Sequence, residues 1–231
     1  MTLPAPTLEF ERSLATQGVR FLACLDEVGR GALAGPVSVG LTVLDLEQLV
    51  ELPQVRDSKL LKAARREELV PVVRDWARHA AVGHAQAAEI DAFGIVEALA
   101  LAAERAWAQV RGAGGVADAV LLDGKHNWLQ RPADSLFDAL APSSTSGEDD
   151  GVPSLRDLPV TMRIKADMDC QGVAAASILA KVERDELMAV MAQEFPMFGW
   201  EINKGYGTAV HKTALREHGA CEQHRRSWKL L

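Results

Sequence analysis

The stretch FLACLDEVGRGALAGPVSVG, residues 21–40, decides the fold of this chain. Its first apolar run ends in two adjacent acids, Asp26 and Glu27, and the glycine-rich turn Gly29-Arg30-Gly31 follows. A second apolar run begins a few residues after this turn. Short apolar runs bounded by turn residues are typical of buried strands. The stretch therefore predicts two neighbouring strands, with paired acids beside exposed backbone N–H groups, which indicates a site for a metal ion and a phosphate.

The composition is that of a globular protein with a sizeable core. The chain has 231 residues, of which 48% are hydrophobic and 25% charged, which fits one large domain or a domain with an appendage. Its three cysteines, Cys24, Cys170 and Cys221, form no C-x-x-C pair, and this usage favours a reducing cytosol over a disulfide framework. Neither a signal peptide nor an apolar run near the roughly 18 residues of a membrane span is found. We expect a cytoplasmic protein that does not contact a membrane.

Charge is distributed unevenly along the chain. The net charge of −7 argues against non-specific coating of nucleic acid. From Glu201 onwards, however, basic side chains outnumber acidic ones. This segment is either a solvated C-terminal tail or a surface that contacts phosphates.

The apolar pattern predicts an α/β fold with one mixed sheet. Strands are predicted at 19–25, 37–44, 79–86, 119–122 and 160–164. Helices are predicted at 62–78, with a kink or restart at Pro71, at 87–93 and 95–110 on either side of Gly94, at 172–195 and at 208–217. Because the first three strands precede most of the helices, we expect an antiparallel meander, followed by parallel β-α-β additions and covered by helices on both faces.

Composition also divides the chain into segments. Residues 1–19 carry prolines and little periodicity, which predicts a frayed lead-in before a main domain at 20–200. Within that domain, residues 130–159 are rich in Pro, Ser, Gly and Asp and are predicted to form a mobile surface insert. Residues 201–231 form a C-terminal extension that contains the last predicted helix.

Four acids lie at or just past the predicted C-terminal ends of strands: Asp26, Glu27, Asp123 and Asp167. In an open α/β sheet this edge is where ligands bind. Carboxylates without His or Cys partners select hard ions such as Mg²⁺ or Mn²⁺. Two such ions can clamp a phosphodiester, activating water on one side and stabilising the leaving oxygen on the other. Asp169 competes with Asp167 for the fourth position, and spacing alone does not separate them.

The glycine-rich turn has a second interpretation, because it satisfies the G-x-G-x-x-G/A pattern of dinucleotide-binding proteins. That pattern requires a helix to begin at the turn, so that the helix N-terminus holds the pyrophosphate. Here Gly35-Pro36 and a β-type run follow instead. We therefore reject the dinucleotide-binding interpretation.

Six motifs occur in an order that identifies a known family. They are Asp-Glu-Val-Gly-Arg-Gly (26–31), Asp-Ser-Lys (57–59), Leu-Leu-Asp-Gly (121–124), Ala-Ala-Ser-Ile-Leu-Ala-Lys-Val (175–182) with Arg184-Asp185, Lys-Gly-Tyr-Gly-Thr (204–208) and His-Arg-Arg-Ser (224–227). Over residues 20–228 the chain resembles bacterial ribonuclease HII, the type 2 ribonuclease H. The resemblance implies an RNase H-like fold, with a five-stranded mixed sheet flanked by helices and a helical C-terminal extension.

The resemblance also implies an activity. The expected enzyme is a monomeric endoribonuclease that depends on Mg²⁺ or Mn²⁺ and hydrolyses the RNA strand of RNA–DNA hybrids. It would also nick duplex DNA 5′ of single embedded ribonucleotides, leaving 5′-phosphate and 3′-hydroxyl ends. The alternatives are a non-catalytic hybrid-binding protein and a two-metal DNA nuclease or resolvase of the same fold.

Site residues follow from the resemblance by motif. Asp26, Glu27 and Asp123 match the metal-binding acids, and the fourth acid, ten residues before Ser177, is Asp167 rather than Asp169. The backbone of Gly29, Arg30 and Gly31 is implied to contact the ribose 2′-hydroxyl, and Tyr206 to check the RNA-to-DNA junction. The predicted phosphate contacts are Lys59, Lys181, Arg225 and Arg226. One departure from the pattern is Ala166, which replaces the glycine usual before the fourth acid and is expected to shift the backbone of Asp167 slightly.

Overall fold

The computed structural model describes residues 5–130 and 153–231. The strands of its single sheet are β1 (Phe21–Val28), β2 (Val37–Asp45), β3 (His79–Ala85), β4 (Ala119–Asp123) and β5 (Val160–Arg163). The helices are α1 (Glu9–Ala15), α2 (Ala63–Trp76), α3 (Ala87–Gly112), α4 (Ala166–Asp169), α5 (Gln171–Glu194), α6 (Trp200–Asn203) and α7 (Ala209–His218).

The sheet has the mixed topology that the order of elements predicts. Its strand order is β3-β2-β1-β4-β5. The pairs β1–β2 and β2–β3 are antiparallel, whereas β1–β4 and β4–β5 are parallel. The central strand β1 therefore ends at the same edge of the sheet as β4 and β5, and the predicted acids come together there.

Helices cover both faces of the sheet, and the side chains of β1 point alternately into the two cores between the sheet and these helices. Ala23 and Leu25 belong to the core under α3, whereas Leu22 and Cys24 face the core that contains the start of α5. Asp26 follows this alternation onto the α5 face. The helix approaches the sheet so closely that a Cβ atom added at Gly40 would lie 2.1 Å from the Ala176 carbonyl oxygen.

The structure confirms the helix break predicted at Gly94, which has φ 79° and ψ 163° inside α3. The restart considered at Pro71 is wrong, because α2 runs through Pro71 as one helix from Ala63 to Trp76. Within the described ranges no helix is long and apolar enough to cross a membrane.

The lead-in is not frayed where the structure describes it. Residues Glu9–Ala15 form α1, and Leu8, Glu11 and Leu14 are buried. An oxygen of Glu11 accepts a hydrogen bond from the backbone N–H of Gly172, at the start of α5. The prediction failed because a helix of only 7 residues, about two turns, gives little periodicity in the sequence.

The predicted insert is shorter than the range 130–159. Most of it, residues 131–152, lies outside the described residues. Its C-terminal flank belongs to the fold, since Leu155 and Leu158 are buried in the core under α3. The C-terminal extension also packs against the main domain rather than forming a solvated tail, because His211, His224 and Arg225 are buried.

Candidate active site

The four predicted acids arrive at one edge of the sheet from three elements. Asp26 and Glu27 lie near the end of β1, Asp123 is the last residue of β4, and Asp167 lies in α4. Neighbouring strand residues normally point to opposite faces, and β1 continues to Val28 rather than ending at the acids. Asp26 and Glu27 nevertheless both line one cavity of about 210 Å³. This cavity is the candidate active site.

Burial and mutual repulsion raise the pKa of three of the four acids. Burial raises the pKa of Asp26 well above its usual value, and the charges of Glu27, Asp123 and Asp167 raise it further. Burial also raises the pKa of Glu27, against the opposing effect of Arg30. The pKa of Asp123 is raised by burial and by Asp167. Placing four carboxylates at this edge is thus unfavourable in the absence of a cation.

Ala166, which replaces the usual glycine, lies between a left-handed residue and Asp167 in α4. Asp123 accepts a hydrogen bond of 2.7 Å from the Ala166 backbone N–H, which ties α4 to the end of β4. The left-handed conformation falls on Lys165, with φ 61°, and Ala166 itself begins the helix. Ala166 is helical and its methyl group is fully buried, and a shift of the Asp167 backbone relative to a chain with glycine at this position stays a prediction.

The structure separates the two candidates for the fourth acid. Asp167 is buried beside Asp123, and its Oδ2 lies 3.1 Å from Nζ of Lys59. Asp169 is exposed and pairs with Arg163 at 3.0 Å. Although burial opposes the charge of Lys59, the hydrogen bond and charge of Asp167 dominate and raise the pKa of Lys59. Lys59 thus places a positive charge against the acids.

Two serines that sequence reasoning did not assign to the site support Asp26. The hydroxyl of Ser177 hydrogen-bonds Asp26, which lowers the pKa of this carboxyl against the larger effect of burial. Ser58 and Ser177 hydroxyls lie 2.8 Å apart in the interior. The sequence feature that could have indicated this role is the position of Ser177 on the face of α5 that packs on the sheet.

The donor set suits a hard divalent cation, although the described residues do not form a closed metal centre. Over 5–130 and 153–231, no group of three or more His, Cys, Asp or Glu side chains is arranged to hold a metal ion. The carboxylates offer only oxygen ligands, as Mg²⁺ and Mn²⁺ prefer. A cation between them would also relieve the repulsion that raises the pKa of Asp26.

The predicted substrate contacts differ in how accessible they are. Lys181 and Tyr206 line the same cavity as Asp26, and Tyr206 is 37% exposed. Nζ of Lys181 is held by Asp185 at 2.6 Å. Arg30 is exposed, and its Nη1 lies 3.3 Å from Oε1 of Glu27. Arg226 is exposed as well, while its backbone N–H donates to Asp91.

Arg225 departs from the phosphate contact expected of it. Its side chain is fully buried, and the guanidinium donates to the backbone carbonyls of Gly29 and Arg30 at 2.7 and 2.9 Å. A phosphate therefore has no access to this side chain. Because a buried arginine satisfied by carbonyls has no local sequence signature, the run of basic residues at 225–226 was taken for a surface.

A buried network of side chains fixes the backbone at Tyr206. Nδ1 of His211 lies 3.0 Å from the Tyr206 carbonyl, which can only accept, so this nitrogen carries the proton. Nε2 of His211 therefore accepts, from Nε1–H of Trp200 at 3.1 Å and from Nε2–H of His224 at 3.0 Å. Nδ1 of His224 in turn accepts from the Cys221 backbone N–H. The network requires both imidazoles to be neutral.

This network predicts a pH dependence of stability. Burial and the neighbouring His211 lower the pKa of His224 to about 4. Between this pKa and the ordinary value of 6.5, His224 is protonated in the unfolded chain but neutral in the folded chain. Its contribution to the free energy of unfolding is therefore fully present above pH 6.5 and is lost as the pH falls. We expect the free energy of unfolding contributed by this side chain to drop by about 2 kcal/mol between pH 7.5 and 5.

The measurement compares chemical unfolding of the wild type and of His224→Asn at several pH values. The variant is less stable at pH 7.5, and the gap narrows toward pH 5, because the other titrating groups contribute equally to both proteins. A gap that stays constant over this range would mean that His224 titrates as it does in the unfolded chain.

The sheet topology and the acids at one of its edges define a class: an RNase H-like, metal-dependent nuclease. The family model described as ribonuclease HII matches residues 23–231. A ribonuclease HII of Streptomyces avermitilis is 42% identical, over 100% of this chain and 87% of its own length. The chain belongs to the ribonuclease HII family, and it is a metal-dependent endoribonuclease that acts on RNA–DNA hybrids.

Solved structures share the fold. The ribonuclease HII in a PCNA complex from Archaeoglobus fulgidus has a TM-score of 0.64 and 26% identity, over 91% of this chain and 96% of that one. Bst-RNase HIII in complex with Mn²⁺ has a TM-score of 0.60 and 21% identity, over 86% of this chain and 63% of that one. The expected five-stranded mixed sheet with flanking helices is thus confirmed.

Proposed function

We propose that this enzyme nicks duplex DNA 5′ of single embedded ribonucleotides, as well as cutting the RNA strand of longer hybrids. The observation that carries the proposal is that Asp26, Glu27, Lys59, Lys181 and Tyr206 line one cavity. Groups suited to hydrolysis and groups suited to recognition thus face the same space. We expect the protein to act as a monomer.

Asp26, Glu27, Asp123 and Asp167 are the ligands for Mg²⁺ or Mn²⁺ in this proposal. Bound ions would activate the attacking water and stabilise the leaving 3′-oxygen, which leaves a 5′-phosphate and a 3′-hydroxyl. Lys59, which touches Asp167, and Lys181 supply positive charge for the phosphates that flank the cleaved bond. The Mn²⁺ bound to Bst-RNase HIII, a protein of the same fold, supports the choice of ion.

Recognition is assigned to the turn and to the aromatic ring. The backbone of Gly29, Arg30 and Gly31 contacts the 2′-hydroxyl, the group that distinguishes RNA from DNA at a single position. Tyr206 packs against the sugar or base at the RNA-to-DNA junction. Arg226, exposed next to the turn's support Arg225, is positioned for a phosphate further along the duplex.

The test uses a DNA duplex with one ribonucleotide, an all-DNA duplex of the same sequence, and Mn²⁺ or EDTA. We expect cleavage of the ribonucleotide strand with Mn²⁺ alone, leaving a 3′-hydroxyl on the upstream fragment that a DNA polymerase extends and a 5′-phosphate on the ribonucleotide that a phosphatase releases. An intact ribonucleotide strand would contradict the proposal, and binding without cleavage would favour the hybrid-binding alternative. Cleavage of the all-DNA duplex would favour the DNA nuclease or resolvase.

Tyr206→Ala is expected to separate the two substrates. Stacking on an aromatic ring contributes about 1–3 kcal/mol per base, or roughly tenfold and more in kcat/KM. A single ribonucleotide offers one junction, whereas a long hybrid offers many cleavage positions, so the loss is larger on the single ribonucleotide. Tyr206→Phe is the control, because it keeps the ring. An equal loss on both substrates would count against a junction-reading role.

A further inference from the structure

Two arginines are buried below the Gly29-Arg30-Gly31 turn without a carboxylate partner. Arg184 on α5 and Arg225 in the C-terminal extension are both fully buried. Among the described residues neither forms a salt bridge: Asp185 attracts Arg184 but pairs with Lys181, and Asp91 attracts Arg225 but accepts from the Arg226 backbone. Burying a guanidinium costs free energy unless its N–H groups are hydrogen-bonded. The acceptors of the Arg184 and Arg225 N–H groups therefore indicate the role of these two side chains.

Both guanidinium groups bond to backbone carbonyls of the segment that follows β1. Arg225 donates to the carbonyls of Gly29 (2.7 Å), Arg30 (2.9 Å), Gly35 (3.2 Å) and Pro36 (3.2 Å). Arg184 donates to those of Pro36 (2.8 Å), Ala34 (3.3 Å) and Lys204 (3.0 Å). Arginine is suited to this role because five N–H donors in a rigid fork can reach several carbonyls at once.

The direction of these hydrogen bonds fixes the direction of the N–H groups. In a planar trans peptide the C=O and the N–H of the next residue point opposite ways. Arg225 draws the carbonyls of Gly29 and Arg30 inward, so the N–H groups of Arg30 and Gly31 point outward. Both residues are exposed, and among the described residues these two N–H groups have no hydrogen-bond partner.

Arg184 also explains the glycine at position 29. Gly29 has φ +82°, and a Cβ atom there would lie 2.0 Å from Nε of Arg184. The chain thus passes directly over the guanidinium, at a distance that only glycine allows. Arg184 further connects this turn to the Lys204-Gly205-Tyr206 loop, since its guanidinium lies 5.7 Å from the centre of the Tyr206 ring.

We propose that Arg184 and Arg225 are positioning residues, which hold the N–H groups of Arg30 and Gly31 toward the 2′-oxygen of the substrate ribonucleotide. This inference rests on the proposed function, in which the turn reads the 2′-hydroxyl. It assigns the C-terminal extension a part in distinguishing RNA from DNA, through a residue that never touches the substrate. The two arginines act on discrimination, while the acids act on hydrolysis.

The experiment measures how much more tightly each protein binds the single-ribonucleotide duplex than the all-DNA duplex, with EDTA present so that neither strand is cut. We expect Arg225→Lys and Arg184→Lys to lower this ratio about tenfold, the effect of losing one or two hydrogen bonds. Lysine keeps the positive charge but cannot span the carbonyls. Arg156→Lys is the matched control. Arg156 precedes β5, at the opposite edge of the sheet from the acids, and pairs with Glu97. We expect the binding ratio of this variant to stay at the wild-type value.

The outcomes separate the inference from the function on which it rests. A wild type that binds both duplexes equally would contradict the proposed reading of the 2′-hydroxyl. A wild type with a clear preference, retained in folded Arg225→Lys and Arg184→Lys, would overturn only the role of the arginines.

A second measurement does not depend on the variants folding. In the wild type, the amide NMR signals of Arg30 and Gly31 are expected to shift, and their protons to exchange more slowly, with the ribonucleotide duplex but not with the all-DNA duplex. If the two duplexes affect these amides equally, or neither affects them, the proposed reading of the 2′-hydroxyl is contradicted, and the inference that rests on it falls as well.

Discussion

Asp26→Asn is expected to abolish cleavage while making the protein more stable. Loss of the charge of one proposed metal ligand should reduce kcat/KM by about 10³-fold or more. Burial, and then the charges of Glu27, Asp123 and Asp167, raise the pKa of this carboxyl, so its ionised form destabilises the folded state at neutral pH. Asparagine removes the charge and keeps an oxygen that can accept from Ser177. We expect a rise in Tm of about 2–4 °C, corresponding to about 1 kcal/mol.

The measurement combines cleavage of the single-ribonucleotide duplex with thermal unfolding, without added metal. Asp167→Asn should also lose cleavage, whereas Asp169→Asn is the control that keeps it, since Asp169 is exposed and pairs with Arg163. Activity retained in Asp26→Asn, or lost in Asp169→Asn but not in Asp167→Asn, would contradict the assignment of the acids.

Gly40→Ala is expected to have the largest effect on stability. A Cβ atom at position 40 would lie 2.1 Å from the Ala176 carbonyl oxygen, and a backbone atom inside α5 cannot move aside alone. The helix must shift away from β2, which we expect to cost about 3 kcal/mol. Gly40 lies opposite Asp26 in the sheet, and α5 carries the serine that hydrogen-bonds Asp26. Cleavage at 25 °C should therefore fall in the protein that remains folded.

Thermal unfolding and the cleavage rate at 25 °C check this expectation. Gly112→Ala is the matched control, because Gly112 ends α3 without positive φ and nothing lies within 4 Å of an added Cβ. Its Tm should stay the same or rise slightly. A Gly40→Ala protein with wild-type Tm would show that α5 does not need this close approach to the sheet.

The sheet was predictable because its signals are local. Apolar runs bounded by turns located all five strands, and their order relative to the helices predicted the mixed topology that the structure has. The acids at strand ends pointed to one edge for the same reason. The turn at 29–31, in which Arg30 and Gly31 are exposed, followed from its glycines. Each of these features is encoded within about ten neighbouring residues.

The features that sequence reasoning missed depend on contacts between distant segments. Arg225 looked like a surface cation, because nothing near it in the chain reveals that carbonyls from another segment surround its guanidinium. The helix α1 was missed because its stability comes from docking, with Leu8 and Leu14 buried, rather than from its own length. Composition likewise overestimated the insert, since polar residues at 153–159 flank buried leucines.

The hydrogen bond between Arg225 and Gly29 spans 196 positions of the chain, and this separation has a consequence for the order of folding. Synthesis delivers β1 and its acids first, and domains generally fold in that direction. The carbonyls of Gly29 and Arg30, in the turn proposed to contact the sugar, gain their Arg225 hydrogen bonds only when residue 225 has emerged and docked. A chain that stops short of this point would carry the acids of β1 and β4 but an unsupported turn. A segment made long after β1 thus completes the turn that, in our proposal, distinguishes RNA from DNA.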